Sequence, residues 1–334
     1  MSLLRRILSG IGRALVWLAL GLLTLWSCFA IRYSNLPGWL CLPAAILFAA
    51  LVLVVRLRVK PPRRARLSLA ALFAVLIGWW LLIPPRNDRD WTPDLVVLPW
   101  AEIEGNTIKL HENRNCQYTS ETDYKLEHYD KTLQLDQLQT ADFTMVYWGS
   151  PTIAHTMMSF GFADGSFVCF SIETRKERGE EYSAIKGFFK QYELTYVVAD
   201  ERDVIKLRTD FRKEDVYLYR LKAPVETLRE VFVDYLREVN RLKDSPEWYN
   251  AATSNCTTQI RGHTEPYNPN HSWDWRMLIN GRLDELIYER GAVDTSLPFA
   301  ELKQRSHINA KALAAGDSAD FSRLIRVGIP GIAR

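Results

Sequence analysis

Hydrophobic positions fall along this chain in three regimes. Up to about residue 90 they run almost unbroken, over 14–31, 36–55 and 67–83. Each run is close to the roughly 20 residues that a bilayer-crossing helix needs. A cleaved secretory leader has one such stretch and a small-residue cleavage site, so three in succession predict a retained membrane anchor over residues 1–90. From Leu95 to about Gln139 the pattern is weak, with one short apolar strand among polar residues and Tyr118, Tyr124 and Tyr129. Short apolar runs then predict strands over 143–148, 153–162, 166–173, 194–198, 204–207 and 216–221, with Asp164-Gly165 as a hairpin turn. After Pro224 the period changes. Leu228, Val231, Phe232, Tyr235, Leu236, Val239 and Leu242 mark an amphipathic helix, and further helices are predicted from Cys256 and over 275–288. Pro84-Pro85 and the mixed charges up to Pro93 read as a linker to a second domain over 91–334. The fold class is α+β: a three-helix membrane anchor, then a small antiparallel sheet with helices packed on one side.

Charge sharpens this division. Residues 1–90 hold 12 basic and 2 acidic residues, and the remaining 244 hold 30 basic and 37 acidic, so a net +10 precedes a net −7. The basic residues gather at Arg5, Arg6 and Arg13 and between Arg56 and Arg66. The positive-inside rule therefore puts the amino terminus and the second loop in the cytoplasm, and the domain after the third span in the periplasm of a multi-pass inner-membrane protein. Trp39, Trp79 and Trp80 fall at the outer interface in that arrangement. An acidic outer domain lacks the electrostatic footprint of a nucleic-acid binder.

Candidate chemistry centres on Cys256, in the run Thr253-Ser254-Asn255-Cys256-Thr257-Thr258. Cap-forming residues precede it, so its thiol is expected on the first turn of a helix, where unpaired amides and the helix dipole favour the thiolate. Asn255, or backbone amides near Cys256, would support an oxyanion. His155, in the strand-like run 153–162, is the candidate base. Across the Asp164-Gly165 hairpin the residues opposite His155 fall at 173–175, so Glu173 is a candidate to orient the imidazole. His263 lies two helical turns beyond Cys256, about 10 Å along the axis, too far for a hydrogen bond. His111, His128, His271 and His307 sit in polar segments. In an oxidising compartment Cys116 and Cys169 could pair, leaving Cys256 as the odd thiol. The run Arg175-Lys176-Glu177-Arg178 reads as a solvated stretch, or else as a grip on an anionic head group. No HExxH, paired CxxC or glycine-rich phosphate loop occurs, so no metal or cofactor is expected.

A wider pattern joins these residues. It includes Asp142-Phe143, Tyr147-Trp148-Gly149, Ile153-Ala154-His155-Thr156, Ser159-Phe160-Gly161-Phe162 and Ser171-Ile172-Glu173-Thr174-Arg175. It continues through Gly187-Phe188-Phe189, Tyr192-Glu193-Leu194, Asp200-Glu201-Arg202-Asp203 and Asp215-Val216-Tyr217-Leu218-Tyr219 to Trp248-Tyr249-Asn250 and Asn255-Cys256-Thr257-Thr258. With these blocks the stretch from about Asn113 to Pro330 resembles the Lnb N-terminal periplasmic domain family. The family takes its name from a lipoprotein intramolecular transacylase, which moves an acyl chain from the glyceryl-linked lipid of an N-terminal cysteine onto that cysteine's amine. The resemblance implies a permuted papain-like domain, akin to NlpC-type hydrolases and lecithin-retinol acyltransferases, with Cys256 as nucleophile and His155 as base. It implies acyl transfer on a lipid or lipoprotein substrate. The other readings are an NlpC-type cell-wall amidase or endopeptidase using the same dyad, and a non-catalytic envelope scaffold. In the enzyme that names the family, membrane spans follow the domain; here three spans precede it.

Overall fold

The computed structural model describes residues 3–267 and 272–332, which form two compact units. The first holds three helices, α1 (Leu3–Arg32), α2 (Gly38–Arg58) and α3 (Pro62–Leu81), together with the segment Ser183–Gln191. All three helices are long and apolar enough to cross a membrane. Their outward faces are rich in exposed Leu, Ile and Val, as a lipid solvent requires, while Phe48 and Phe73 meet edge to face at 5.6 Å between them. Pro61 and Pro62 start α3, where a missing amide costs nothing. Phe189 packs against Trp26, Phe29 and Tyr33. The ammonium of Lys190 donates to the carbonyls of Trp80, Leu81 and Ile83 at 3.0–3.2 Å, satisfying orphan acceptors at the end of α3.

The second unit comprises Arg86–Tyr182 and Tyr192–Arg334. Its strands are β1 (Trp100–Glu104), β2 (Thr107–Arg114), β3 (Gln117–Tyr118), β4 (Tyr124–Lys125), β5 (His128–Gln134), β6 (Leu138–Tyr147), β7 (His155–Phe162), β8 (Phe167–Arg175), β9 (Glu193–Ala199) and β10 (Asp215–Arg220). Its helices are α4 (Glu201–Lys206), α5 (Val225–Asp244), α6 (Cys256–Thr264), α7 (Leu283–Glu289), α8 (Phe299–Ser306), α9 (Asn309–Ala315) and α10 (Phe321–Leu324). Apart from the small β3–β4 pair, the strands form one sheet in the order β1-β2-β9-β8-β7-β6-β10, with β5 also on β2. The β2–β9 contact is parallel and the rest are antiparallel. The class is α+β.

Helices cover both faces of this sheet rather than one. Met158, Phe160 and Phe170 pack with Phe232 and Tyr235 of α5 on one side; Met157, Cys169 and Val197 pack with Val204, Ala312 and Phe321 on the other. That double burial explains why the central strands read as continuous apolar runs. The weak region 95–139 holds β1, β2 and β5. In β2 only Ile108 and Leu110 point inward along its first half, so a half-wet strand near the sheet edge leaves little apolar signal.

The predicted strand over 204–207 is instead α4 and a π-helical turn, Leu207–Phe211. Four residues, three of them apolar, cannot fix a period, and the preceding Asp200-Glu201-Arg202-Asp203 supplies an N-cap position and an acidic first turn. Charges of this motif are also scaffold: Arg326 pairs with Glu201 and Asp142, and Arg114 with Asp203, all buried. Arg175 is likewise neither solvated nor free to hold a head group. It lies 2% exposed at the end of β8, donates to the carbonyls of Leu95 and Val96 and to Asn87, and covers the Trp91 ring at 4.3 Å. Cys116 and Cys169 are both free, buried thiols rather than a disulfide. His271 lies outside the described residues.

Candidate active site

The turn before α6 is built to present its first residue. Asn250 and Ser254 exchange backbone hydrogen bonds, and Asn255 then caps the helix. Its side-chain oxygen accepts from the Thr258 amide at 3.0 Å, and the Thr258 hydroxyl accepts from the Asn255 amide at 2.8 Å. The side-chain amide of Asn255 donates to the Ala251 carbonyl at 2.8 Å. Asn255 therefore supports the site as a cap, with its side chain already engaged. Cys256 follows at the helix start, half-buried, with the orphan amides and positive dipole end of α6 around it.

His155 opens β7, and its ring is buried. The β7–β8 register pairs Met157 with Ser171, which by continuation sets Glu173 across from His155. His155 Nε2 lies 2.7 Å from Ser171 Oγ and 3.2 Å from Glu173 Oε1. Ser171 donates its hydroxyl proton to Glu173 at 2.7 Å, so its oxygen must accept from His155, which assigns the proton to Nε2. Nδ1 is left to meet the Cys256 thiol, with which the imidazole shares a hydrogen bond. Glu173 is in turn held by Arg208, whose guanidinium reaches it at 2.7 Å and Glu214 at 3.0 Å. The result is a continuous line: Cys256, His155, Ser171 and Glu173, Arg208, Glu214.

Electrostatics along the line follow from these partners. Burial pushes His155 down, but the Glu173 carboxylate and the hydrogen bonds to Cys256 and Glu173 outweigh it and lift it to about 9, with Arg208 opposing. Burial pushes the Cys256 thiol up, and the hydrogen bond and charge of His155, helped by the Thr156 hydroxyl and amide, bring it down to about 7. Burial also raises Glu173, yet His155 and Arg208 hold it well below the usual carboxylate range. Above about pH 7 the site is therefore a thiolate–imidazolium pair, the form that attacks an acyl carbonyl and can protonate what leaves.

Three contributors went unread in the sequence. Ser171 shares the face of Glu173 two residues before it on β8, a signal that strand alternation offered. Arg208 sits on the π-helical turn, a feature that recurs at functional sites but has no pattern in sequence. Asn280 is the third. Its side chain accepts from the Ala154 amide at 2.8 Å and donates to the Ala154 carbonyl at 2.6 Å and to the Thr257 hydroxyl at 2.7 Å. It thus staples the residue before His155 to the residue after Cys256. The helix expected over 275–288 is broken at this point into two short 3-10 turns, Trp275–Met277 and Asn280–Arg282, followed by α7. Gly281 shows why: a Cβ there would meet the Pro151 carbonyl at 2.1 Å, so the loops approach closer than any side chain allows. The Asn-Gly pair was the available turn signal.

The other described histidines stand apart from this line. His263 sits between Asp234 at 2.7 Å and the Tyr196 hydroxyl at 2.8 Å. His111 lies 2.7 Å from Asp130, with Trp100 stacked on its ring.

The fold and site together define a class: a membrane-associated protein whose α+β domain, on a chain with bilayer-length helices, brings a cysteine, a histidine and a carboxylate into one line. Residues 125–281 match the family model described as the Lnb N-terminal periplasmic domain. Over that stretch the chain is similar to the Lnb N-terminal periplasmic domain, and the match spans His155, Glu173, Cys256 and Asn280. No curated protein and no solved structure matches the chain.

Proposed function

We propose that this chain is a cysteine-dependent acyltransferase, anchored by three membrane spans with its amino terminus in the cytoplasm and its catalytic domain in the periplasm. Its substrate is an O-acylated lipid or lipoprotein at the outer face of the inner membrane. The observation that carries this reading is the line from Cys256 through His155 to Glu173, with a thiol lowered to about 7 at a helix start.

In this reading the Cys256 thiolate attacks the ester carbonyl, and the electron pair of the C=O bond moves onto oxygen. The Cys256 and Thr257 amides, which the cap does not use, face that oxyanion. Collapse expels the alkoxide, which takes the Nδ1 proton of His155, and leaves an acyl thioester on Cys256. An amine then attacks the thioester and gives its proton to the now neutral His155. The amide departs, and the thiolate–imidazolium pair is restored. Glu173 and Ser171 keep the ring oriented through both halves, and Glu173 balances the imidazolium.

The test is to incubate the purified full-length protein with a diacylated lipopeptide and follow its products by mass spectrometry. The expected outcome is movement of one acyl chain from oxygen to the α-amine, abolished in Cys256→Ala and reduced by about 10²–10⁴ in His155→Ala. Release of free fatty acid alone would make the enzyme a hydrolase. Absence of any deacylated product above the Cys256→Ala control would refute the assignment.

A further inference from the structure

The turn that staples the site also carries an unusual surface. Immediately before Asn280 come Leu278 and Ile279, with Trp273 and Trp275 just upstream. Against them lies the β6–β7 connection, with Trp148 and Ile153. These six side chains are between 40% and 61% exposed. The two segments are held together by the Gly281 amide on the Thr152 carbonyl at 2.9 Å and by the Asn280 bonds to Ala154. An apolar surface of this kind on a soluble domain marks something that covers it. Its position matters, because Asn280 ties it directly to the residues flanking Cys256 and His155.

We propose that this surface is a membrane-docking patch, which seats the domain on the outer leaflet of the bilayer and presents the Cys256–His155 line to ester groups at the head-group level. Three observations select a bilayer over a protein partner. The last of three helices of bilayer-crossing length ends at Leu81, and the second unit begins at Arg86, so the domain is tethered within a few residues of a membrane. Three of the six side chains are tryptophans, whose amphipathic rings favour the lipid–water interface. Residues 91–334 carry a net −7, so an anionic leaflet repels the domain as a whole and apolar insertion is the available attraction. The charges around the patch are internally paired: Arg276 with Asp274 and Glu289, and Arg282 with Glu285. The tether keeps the local lipid concentration high, so a small patch is enough.

The proposal deepens the acyl-transfer reading, and its test separates the two. The full-length protein is placed in nanodiscs of phosphatidylglycerol and phosphatidylcholine containing a phospholipid with a diazirine on its acyl chain. It is then irradiated, digested with trypsin and mapped by mass spectrometry, as wild type and as Cys256→Ala. Lipid adducts are expected on the peptide Met277–Arg282 and on the peptide containing Trp148 and Ile153, equally in both proteins. Adducts confined to residues 3–83 would overturn the docking patch, whether or not acyl transfer occurs; adducts on the patch without acyl transfer would leave docking intact and sink the enzymatic reading. In a second arm, the double variant Leu278→Gln, Ile279→Gln is expected to lose at least about tenfold in kcat/KM on a bilayer-embedded lipopeptide. Its Cys256 alkylation rate at pH 7 should stay unchanged. Equal kcat/KM for variant and wild type would also overturn the proposal.

Discussion

Three cysteines of the periplasmic domain each lie near a carboxylate, and the outcome differs. Cys116, whose amide donates to Asp203 at 2.7 Å, is pushed up to about 12 by burial and by the Asp203 charge. Cys169, inside the sheet on β8, is pushed up to about 12 by burial and by Glu201. Cys256 also has a carboxylate behind it, but His155 stands between, and its thiol falls to about 7. A carboxylate beside a thiol opposes the thiolate. The same charge one imidazole away stabilises the imidazolium, and the imidazolium stabilises the thiolate. Reactivity is thus set by the order of groups along a line.

The comparison is most sharply broken by removing the intermediary. In wild type, iodoacetamide at pH 7 should modify Cys256 while leaving Cys116 and Cys169 unreacted. His155→Ala returns Cys256 toward or above the ordinary thiol value of 9.0. At pH 7 that change takes the thiolate fraction from about half to about one per cent, a roughly 50-fold fall in alkylation rate. An unchanged rate in the variant would remove the basis of the contrast. The sign of the pH dependence follows from the same pair. The thiolate appears as pH rises through about 7, and the imidazolium is lost as it rises through about 9. Acyl transfer should therefore peak between these values and fall on both sides.

A smaller change keeps the imidazole but takes away the charge behind it. Glu173→Gln leaves a side chain of the same shape beside Ser171 and Arg208, and removes the main influence that lifts His155. His155 should titrate lower and Cys256 higher. A rise of one unit takes the thiolate fraction at pH 7 from about half to about one tenth, so a roughly fivefold loss in alkylation rate is expected. An alkylation profile that overlays wild type would show that Glu173 only shapes the site. Acyl transfer should fall further than alkylation, because the imidazolium must also protonate the departing alkoxide.

How much of this was legible varies with the physics of each feature. The three apolar runs were plain because each is long and apolar enough to cross a bilayer. Their ends shifted by a few residues, and α1 extends back to Leu3. Counting across the hairpin turn put Glu173 among the residues opposite His155, and the structure brings the two within 3.2 Å. Cys256 was placed on a helix start because caps are local chemistry. What failed depended on tertiary context. Arg175 looked solvated because its neighbours are charged, yet its guanidinium serves carbonyls and a ring that no local pattern reveals. Arg208 lies just past the run 204–207, which is too short to have a period, on a π-helical turn that no pattern announces. Asn280 joins positions more than a hundred residues apart on one side and 23 on the other, contacts that no sequence spacing announces.

The mildest test uses the second buried histidine as a control. His263 has a carboxylate and a hydroxyl within 2.8 Å, much as His155 has, but no thiol faces it, and it sits two turns along α6 from Cys256. Burial lowers its pKa, and Asp234 only partly offsets this. Its neutral form is therefore the native one. A histidine lowered on folding binds its proton more readily in the unfolded chain, so the stability it contributes is present above the unfolded value near 6.5 and is lost as pH falls below it. His263→Gln removes that dependence and breaks the bonds to Asp234 and Tyr196, at a cost of about 1–3 kcal/mol near neutral pH. Thermal melts of the two proteins should then converge below pH 6, while the Cys256 alkylation midpoint stays near 7 in both. A midpoint displaced by a full unit would mean that the far end of α6 governs the thiol as well. The ordering of Cys256, His155 and Glu173 would then not suffice to explain it.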